Sequence, residues 1–389
     1  MNKIEKLIEE LCPQGVEFKK LGEVCIIKTG QSVNKILIDQ HQGDYPVINS
    51  GKEPLGYIDT FNTENDPIGI TSRGAGVGSI TWCVGKYFRG NLNYSATIID
   101  EEILNVRYLY FVLMNSQKQI NELSVFNGIP ALNASSLVKL KIPIPPLAIQ
   151  KEIVKILDNF IRLEAELEAE LEARKKQYEY YREELLTFGG DVEWKALGEV
   201  CDVRDGTHDS PKQKLQGNFL ITSRHIKGNK IEFSTAYKIS VEDFNNINKR
   251  SKVDKYDVLF SMIGTIGEMV IIDFEPDFAI KNIALFKTKN NKELAKWIYY
   301  YLTTNEAKFK INSLLKGSAQ KYIALGLLRG FLIPIPPLSK QKEIVATLDK
   351  FDALVNDISI GLPAEITARK KQYEYYRNQL LEFKVMSYE

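Results

Sequence analysis

Few residues in this chain have the types and spacing that chemistry requires, and most of those fail on closer reading. Arg73-Gly74-Ala75-Gly76-Val77-Gly78 has the glycine density of a phosphate-cradling loop. It lacks the Gly-Lys-Ser/Thr ending that sets a lysine on a nucleotide's phosphates, and no βαβ unit with an acidic residue about 20 positions further on follows it. Gly264-Thr265-Ile266-Gly267 stands at the corresponding place in the later half, again without a lysine. Both read as tight turns in a sheet. The histidines (His41, His208, His225) and cysteines (Cys12, Cys25, Cys83, Cys201) show no Cys-x-x-Cys or metal-ligand spacing, so neither a zinc site nor a disulfide framework is expected. No Ser/His/Asp, Cys/His or paired-carboxylate arrangement recurs between the halves. The run LEAELEAELEA, Leu163 to Ala173, reads as a solvated helix face rather than an acidic metal site. No active site is expected.

What remains is local charge. With 51 Lys and Arg against 50 Asp and Glu, a net of +1 excludes bulk steering onto nucleic acid but leaves patches open. From 197 to 331 there are 21 basic and 15 acidic residues, a net of +6; from 21 to 140 there are 9 and 11, a net of −2. Arg204, Lys212, Lys214, Arg224, Lys227 and Lys230 crowd one stretch that suits a phosphate backbone. In the earlier half only Arg73 and the pair Lys86 and Arg89 suggest the same. Such clusters are more often plain solvated faces.

The elements that position these groups are written twice. VEFKKLGEVC (Val16 to Cys25) recurs as VEWKALGEVC (Val192 to Cys201), IPIPPLAIQKEIV (Ile142 to Val154) as IPIPPLSKQKEIV (Ile333 to Val345), and ARKKQYEYYR (Ala173 to Arg182) unchanged as Ala368 to Arg377. The spacing is far beyond a solenoid repeat, so this is domain duplication. Between the matching borders, 26–141 and 202–332 diverge almost completely, as two specificities on one scaffold would. Both read as mixed α/β, with strand-like runs such as Tyr45 to Ile48 and Phe278 to Leu285, turns at Asn49-Ser50-Gly51 and Asp205-Gly206-Thr207, and glycine loops at Phe126-Asn127-Gly128 and Lys316-Gly317-Ser318.

Pro145-Pro146 and Pro336-Pro337 are helix start signals. Behind them apolar residues recur at three- and four-residue steps, from Ile153 through Leu171 to Phe188 and from Ile344 through Ile366 to Phe383. A single-stripe helix of this length needs a partner, and the duplicate is at hand for a two-helix coiled coil. Gly361 and Pro363 are expected to kink or break the second helix. The fold class expected is α+β: two mixed α/β domains separated by two long antiparallel helices, with an internal pseudo-twofold repeat. The divisions are 1–144, 145–188, 189–335 and 336–389. The opening MNKIEKLIEELCPQG lacks the apolar core of a secretory signal, and no run reaches the roughly 18 residues of a membrane span, so a cytoplasmic protein is expected.

The two IPIPPL…QKEIV…LD segments, the two ARKKQYEYYR segments and the two F/W-K-x-L-G-E-V openings resemble the specificity subunit of type I restriction–modification enzymes. Asp205-Gly206-Thr207-His208 before Pro211, and Pro46-Val47-Ile48 before Asn49-Ser50-Gly51, are further local matches. The resemblance implies that each variable block is a target-recognition domain reading one half of a split double-stranded DNA sequence, with no catalysis and no cofactor on this chain. It implies two modification subunits docked on the helices, which methylate adenine N6 from their own S-adenosylmethionine, and two motor-nuclease restriction subunits. The candidate DNA contacts are polar groups on expected turns or in the basic stretch: Asn49, Arg73, Arg89, Arg204, Arg224, His225, Lys227, Lys281 and Gln320. The candidate docking residues are Tyr178, Tyr181, Tyr373 and Tyr376. Two other classes share parts of this pattern: a coiled-coil adaptor with two peptide-binding domains, and a nucleotide-dependent enzyme built on Arg73 to Gly78.

Overall fold

A computed structural model describes residues 3–51, 53–126, 128–317 and 320–386. Asn127 and Ser318, one in each glycine loop, lie outside the described residues. The chain divides into two compact units, Met1–Glu168 with Glu365–Glu389, and Ala169–Ala364.

The repeated borders build the same device in each unit. In the first, Phe18–Lys20 pairs antiparallel with Lys141–Pro143; in the second, Trp194–Ala196 pairs with Leu332–Pro334. The Leu-Gly-Glu-Val that follows makes one helical turn, Leu21–Val24 and Leu197–Val200. Its leucine is fully buried in both copies. Its glutamate bends back to accept the N–H that opens the turn, Glu23 from Lys20 at 2.9 Å and Glu199 from Ala196 at 3.1 Å. The glycine leaves room for the chain behind it, since a Cβ on Gly22 would lie 2.9 Å from the Val138 side chain.

The proline border then launches the helix. Leu147–Leu185 and Leu338–Asn356 start directly after the proline pairs. The repeated glutamine satisfies a carbonyl freed by the prolines: Gln150 donates to Pro145 O at 2.7 Å and Gln341 to Pro336 O at 2.8 Å. One aromatic from a helix within each domain, Val106–Asn115 and Lys292–Leu302, locks the border strand. The Tyr108 hydroxyl donates to Pro143 O at 3.2 Å, and the Trp297 indole N–H to Pro334 O at 2.9 Å.

Each unit carries a three-stranded and a four-stranded sheet. In the first, Ile80–Trp82, Ile68–Thr71 and Asn93–Ser95 lie side by side, and Tyr57–Ile58, Tyr45–Ile48, Lys86–Arg89 and Thr63–Glu64 form the other. In the second, the four strands are Asp202–Asp205, Ile283–Lys287, Val258–Ser261 and Met269–Ile271, and the three are Tyr237–Ile239, Asn218–Thr222 and Phe278–Lys281. A parallel pair recurs in both, Val47 beside Phe88 and Ile221 beside Ile280. The main cores gather the domain helix, the border and the first turns of the long helix: Tyr108, Phe111, Ile149 and Ile153 in one unit, Trp297, Tyr301, Ile344 and Leu348 in the other.

Leu147–Leu185 is one helix of 39 residues, roughly 58 Å long. Its glutamate run is solvated and tied by ion pairs such as Arg162 to Glu166 and Arg174 to Glu170, each 2.7 Å. The second copy is broken as expected, into Leu338–Asn356 and Leu362–Leu380. Asp357 caps the gap, its carboxylate accepting from the Ser359 and Ile360 amides at 2.7 and 3.3 Å. Gly361 sits so tightly that a Cβ would lie 2.4 Å from Ala353 O, and Pro363 falls in the first turn of the new segment, where proline is tolerated.

Each unit pairs two helix segments. In the first, Phe160 packs against Tyr373 and Tyr376 at ring separations of 6.4 and 5.4 Å. Lys370 pairs with Glu164 at 3.4 Å and Glu168 at 2.9 Å, so these segments run antiparallel. In the second, Tyr178 and Tyr181 stack on Phe351 at 6.2 and 5.5 Å. No helix among the described residues is long and apolar enough to cross a membrane.

Candidate nucleic-acid interface

Arg73 to Gly78 joins two antiparallel strands, Ile68–Thr71 and Ile80–Trp82. Gly74 and Gly78 have φ of +97° and +78°, and the Gly78 amide closes the turn on Thr71 O at 2.8 Å. No helix follows directly, so the segment is a hairpin and not a phosphate loop. Gly264 and Gly267 shape its counterpart with φ of +79° and +92°, and the Gly267 amide reaches Ser261 O at 3.1 Å. The two hairpins match in construction as well as in sequence position.

Around each hairpin other turns gather. In the first unit the exposed Arg73 bridges Ala131 of the loop before the border, and Ser50 lies against Gly76. In the second, Ile263 bridges Tyr322 in the same way. Thr207 bridges Lys281, and Gly206 must be glycine because a Cβ would lie 2.3 Å from Ile280 O. The adjoining His208 ring is held between Asp205 at 3.0 Å and Asn282 at 2.9 Å. Asp205 is buried and also holds Arg250. Such a clamp fixes an exposed imidazole at a surface lined by Met262, Asn282 and Tyr322.

Three of the expected DNA contacts are internal instead. Arg89 is 3% exposed. Its guanidinium donates to the carbonyls of Ile68, Tyr94 and Asp66 at 3.0, 2.9 and 2.8 Å, to Asn93 at 2.8 Å, and to the Tyr87 hydroxyl. Burial pulls its pKa down and pushes that of Tyr87 up. Asn49 is buried and accepts from the Leu92 amide at 2.9 Å. His225 is fully buried and accepts from the Thr222 amide at 2.9 Å, and burial, then Arg224, pulls its pKa down. All three organise loops from inside, so none offers a surface to a duplex.

The others are accessible. Arg73, Arg224, Lys227 and Gln320 are exposed, and Lys281 is half-buried beside Ser210. Lys227 is paired with Glu232 at 2.7 Å and Arg204 with Asp202 at 2.6 Å, and the Gly228 amide beside Lys227 donates to Glu268, next to the hairpin, at 3.1 Å. The structure therefore brings Lys281 and Arg224 to the Thr207–His208 and Ser223 turns, Gln320 to the Tyr322 loop and Lys227 to the foot of the hairpin beside Glu268, while Arg204 pairs along its own strand. Sequence reasoning missed His208 and Asn282; the signal was the Asp-Gly-Thr-His turn itself.

Of the docking candidates, two face inward and two remain exposed. Tyr178 is 7% exposed and Tyr373 half-buried, both turned into helix pairs, whereas Tyr181 and Tyr376 lie over the same phenylalanines and are still exposed. Their neighbours Tyr180 and Tyr375 are more exposed still, at 63% and 60%. Each packs edge-on against its neighbour at 5.4 Å and 76°, one in each unit. Among the described residues no group of three or more His, Cys, Asp or Glu is arranged to hold a metal ion.

The comparisons agree with this duplicated construction. The family model for the type I restriction modification DNA specificity domain matches twice, at residues 13–173 and 190–368. A putative type I restriction enzyme specificity subunit of Haemophilus influenzae is 34% identical over 400 residues, covering 98% of each chain. The crystal structure of a type I restriction–modification S subunit from M. genitalium has the same fold at a TM-score of 0.57, with 18% identity over 94% of this chain and 96% of that one. A chain from a structural study of type I complex assembly and conformational transition matches at 0.63, with 15% identity over 95% and 98%. With the specificity domain present twice across most of its length, the chain belongs to the family of type I restriction–modification specificity subunits.

Proposed function

We propose that each unit reads one half of a bipartite double-stranded DNA target, and that the chain does this as the non-catalytic member of a restriction–modification complex. The observation that carries the reading is one border device in two copies with differently furnished loops: Arg73 and its hairpin in one copy, His208, Arg224, Lys281 and Gln320 in the other. Two half-sites about one helical turn (~34 Å) apart suit two such ends. The functional divisions are then two reading domains, 1–144 and 189–335, and two spacers, 145–188 and 336–389. The spacers act as an antiparallel coiled coil that sets the gap between the half-sites. Two modification subunits dock on them, with Tyr180 and Tyr375 as equivalent contacts, and two motor-nuclease subunits join through these. S-adenosylmethionine belongs to the modification subunit, and the complex works in the cytoplasm.

Methylome mapping of cells expressing the chain with its modification subunit tests this. The expected result is a split methylated motif. Replacing 26–141 with another block is expected to rewrite one half and leave the other; a change in both halves rules out independent reading.

A further inference from the structure

Beside the glycine hairpin of each unit stands a second loop, and the two copies furnish the turn differently. In the first unit Ser124–Val125 pairs with Ala131–Leu132, and the turn between them carries Phe126 and Ile129, which are 60% and 69% exposed. The base of this loop is anchored. The Leu132 amide donates to Ser72 O at 2.8 Å, the Gly74 amide to Pro130 O at 2.9 Å, and the Tyr94 hydroxyl to Leu132 O at 3.1 Å. In the second unit Lys316 and Tyr322 exchange two backbone hydrogen bonds of 2.9 Å, and that turn presents Gln320 and Lys321, both exposed, with the exposed Tyr322 ring at its base. The neighbouring hairpin reverses the pattern. Arg73 is exposed in the first unit, whereas Ile263 at its place in the second is half-buried.

Single exposed apolar residues are ordinary. Two large ones on a loop anchored at its base, next to an exposed arginine, ask for a surface that is apolar and anionic within a few ångströms. The edge of a base stack between phosphates is such a surface, and apolar wedges between base pairs are a known way to kink a duplex. We propose that Phe126, backed by Ile129, enters the base stack of the first half-site while Arg73 holds an adjacent phosphate. The second unit grips its half-site through Lys321 and Gln320 without a wedge. The proposal rests on the reading that the first unit binds DNA.

The test uses the complex with its modification subunit and a duplex carrying the methylome-defined target. 2-Aminopurine is placed in turn at steps of each half-site other than the methylated adenine. Binding is expected to raise emission at one step in the first half-site and at none in the second. Phe126→Ala, at an exposed position that leaves the fold intact, is expected to abolish that rise and weaken binding about tenfold. Lys321→Ala is expected to weaken binding with a shallower salt dependence and no change in emission. An unchanged emission rise in Phe126→Ala overturns the wedge, as does an intact duplex stack with the unaltered protein; a recovered split motif then leaves DNA reading standing. Failure of Phe126→Ala to assemble with the modification subunit overturns it in favour of a protein contact. A complex that selects no duplex overturns both.

Discussion

Arg89 and Lys281 occupy the same place in the two units, each ending a strand beside its parallel neighbour, Ile48 in one case and Thr222 in the other. Their fates differ. Arg89 is buried and reaches from the four-stranded sheet to carbonyls at Ile68 and Tyr94 of the three-stranded one. Lys281 is half-buried and reaches only the Ser210 hydroxyl. The second unit joins its sheets with an apolar cluster instead, in which Ile221, Phe278 and Ile280 meet Leu259, Val270 and Leu285. Among the described residues the first shows no such joint: its satellite cluster of Val47, Ile58 and Phe88 stays within one sheet and the segments beside it. Duplication thus preserved the borders to the hydrogen bond while each interior found its own way to hold two sheets together.

The strongest test of that contrast is to delete the cation from each. Arg89→Met strands several buried carbonyls together with the half-buried Asp66, and is expected to cost about 3–5 kcal/mol of the first unit's stability. Lys281→Met is expected to stay within about 0.5 kcal/mol and to show only in DNA affinity. Urea unfolding followed by hydrogen exchange separates the units. Equal losses in both would erase the contrast.

The same contrast explains which features are legible in the sequence. The borders are legible because each repeated residue acts locally. Glu23 and Glu199 cap a turn, and Gln150 and Gln341 satisfy a carbonyl behind the prolines. The break at Gly361 and Pro363 is legible for the same reason. The reading surface is not. Arg89, Asn49 and His225 are polar groups near turns, and nothing in a turn signal separates a side chain that points out from one that ties the turn from within. Arg89 closes a strand whose preceding residues Tyr87 and Phe88 are also buried, so strict alternation gives no warning. Tyr180 and Tyr375 are within reach of sequence reasoning. Tyr178 and Tyr181 continue the apolar stripe that seeks a helix partner, and Tyr180 lies about 200° round from Tyr178, away from it. The stripe that pairs the helices therefore also marks which tyrosines it leaves outward.

A smaller asymmetry sits on the helices. Position 352 in the second copy corresponds to 161 in the first, and it is aspartate where the first has isoleucine. Burial pushes the Asp352 carboxyl up, an effect opposed by the Asn356 amide at 2.8 Å and by Lys296, and reinforced by Asp349 and Asp357. A carboxyl raised on folding disfavours the folded state where it is ionised, and the penalty fades as pH falls through the raised value. Asp352→Asn is therefore expected to stabilise the second unit by about 0.5–1 kcal/mol at pH 7, with the advantage shrinking as the solution is acidified. Urea midpoints of the two proteins, taken from neutral to mildly acidic pH, measure it. A gap that widens in acid contradicts the assignment.

The smallest expected cost in stability comes with a change in what is read. Leu163, Leu167 and Leu171 recur every four residues in an unbroken helix, whereas the second copy spends its four extra residues between Asp349 and Ala368 around the turn at Asp357–Gly361. One more Leu-Glu-Ala-Glu unit after Ala173 advances about 400° round the helix, so the stripe drifts by roughly 40° and the helix grows by about 6 Å. The exposed ion pairs there, such as Lys370 with Glu168, are worth only a few tenths of a kcal/mol, and their slippage is a minor loss. If the helices set the gap between half-sites, that length corresponds to about one to two base-pair steps of ~3.4 Å. The insertion variant is expected to fold, to keep both half-site sequences and to methylate a motif with a correspondingly longer unspecified spacer. The competing account makes these leucines packing residues only, and predicts either a destabilised protein or an unchanged motif. Thermal unfolding and methylome mapping of the same variant separate the two. A folded, active variant that keeps the original spacer removes the helix from any role in measuring DNA.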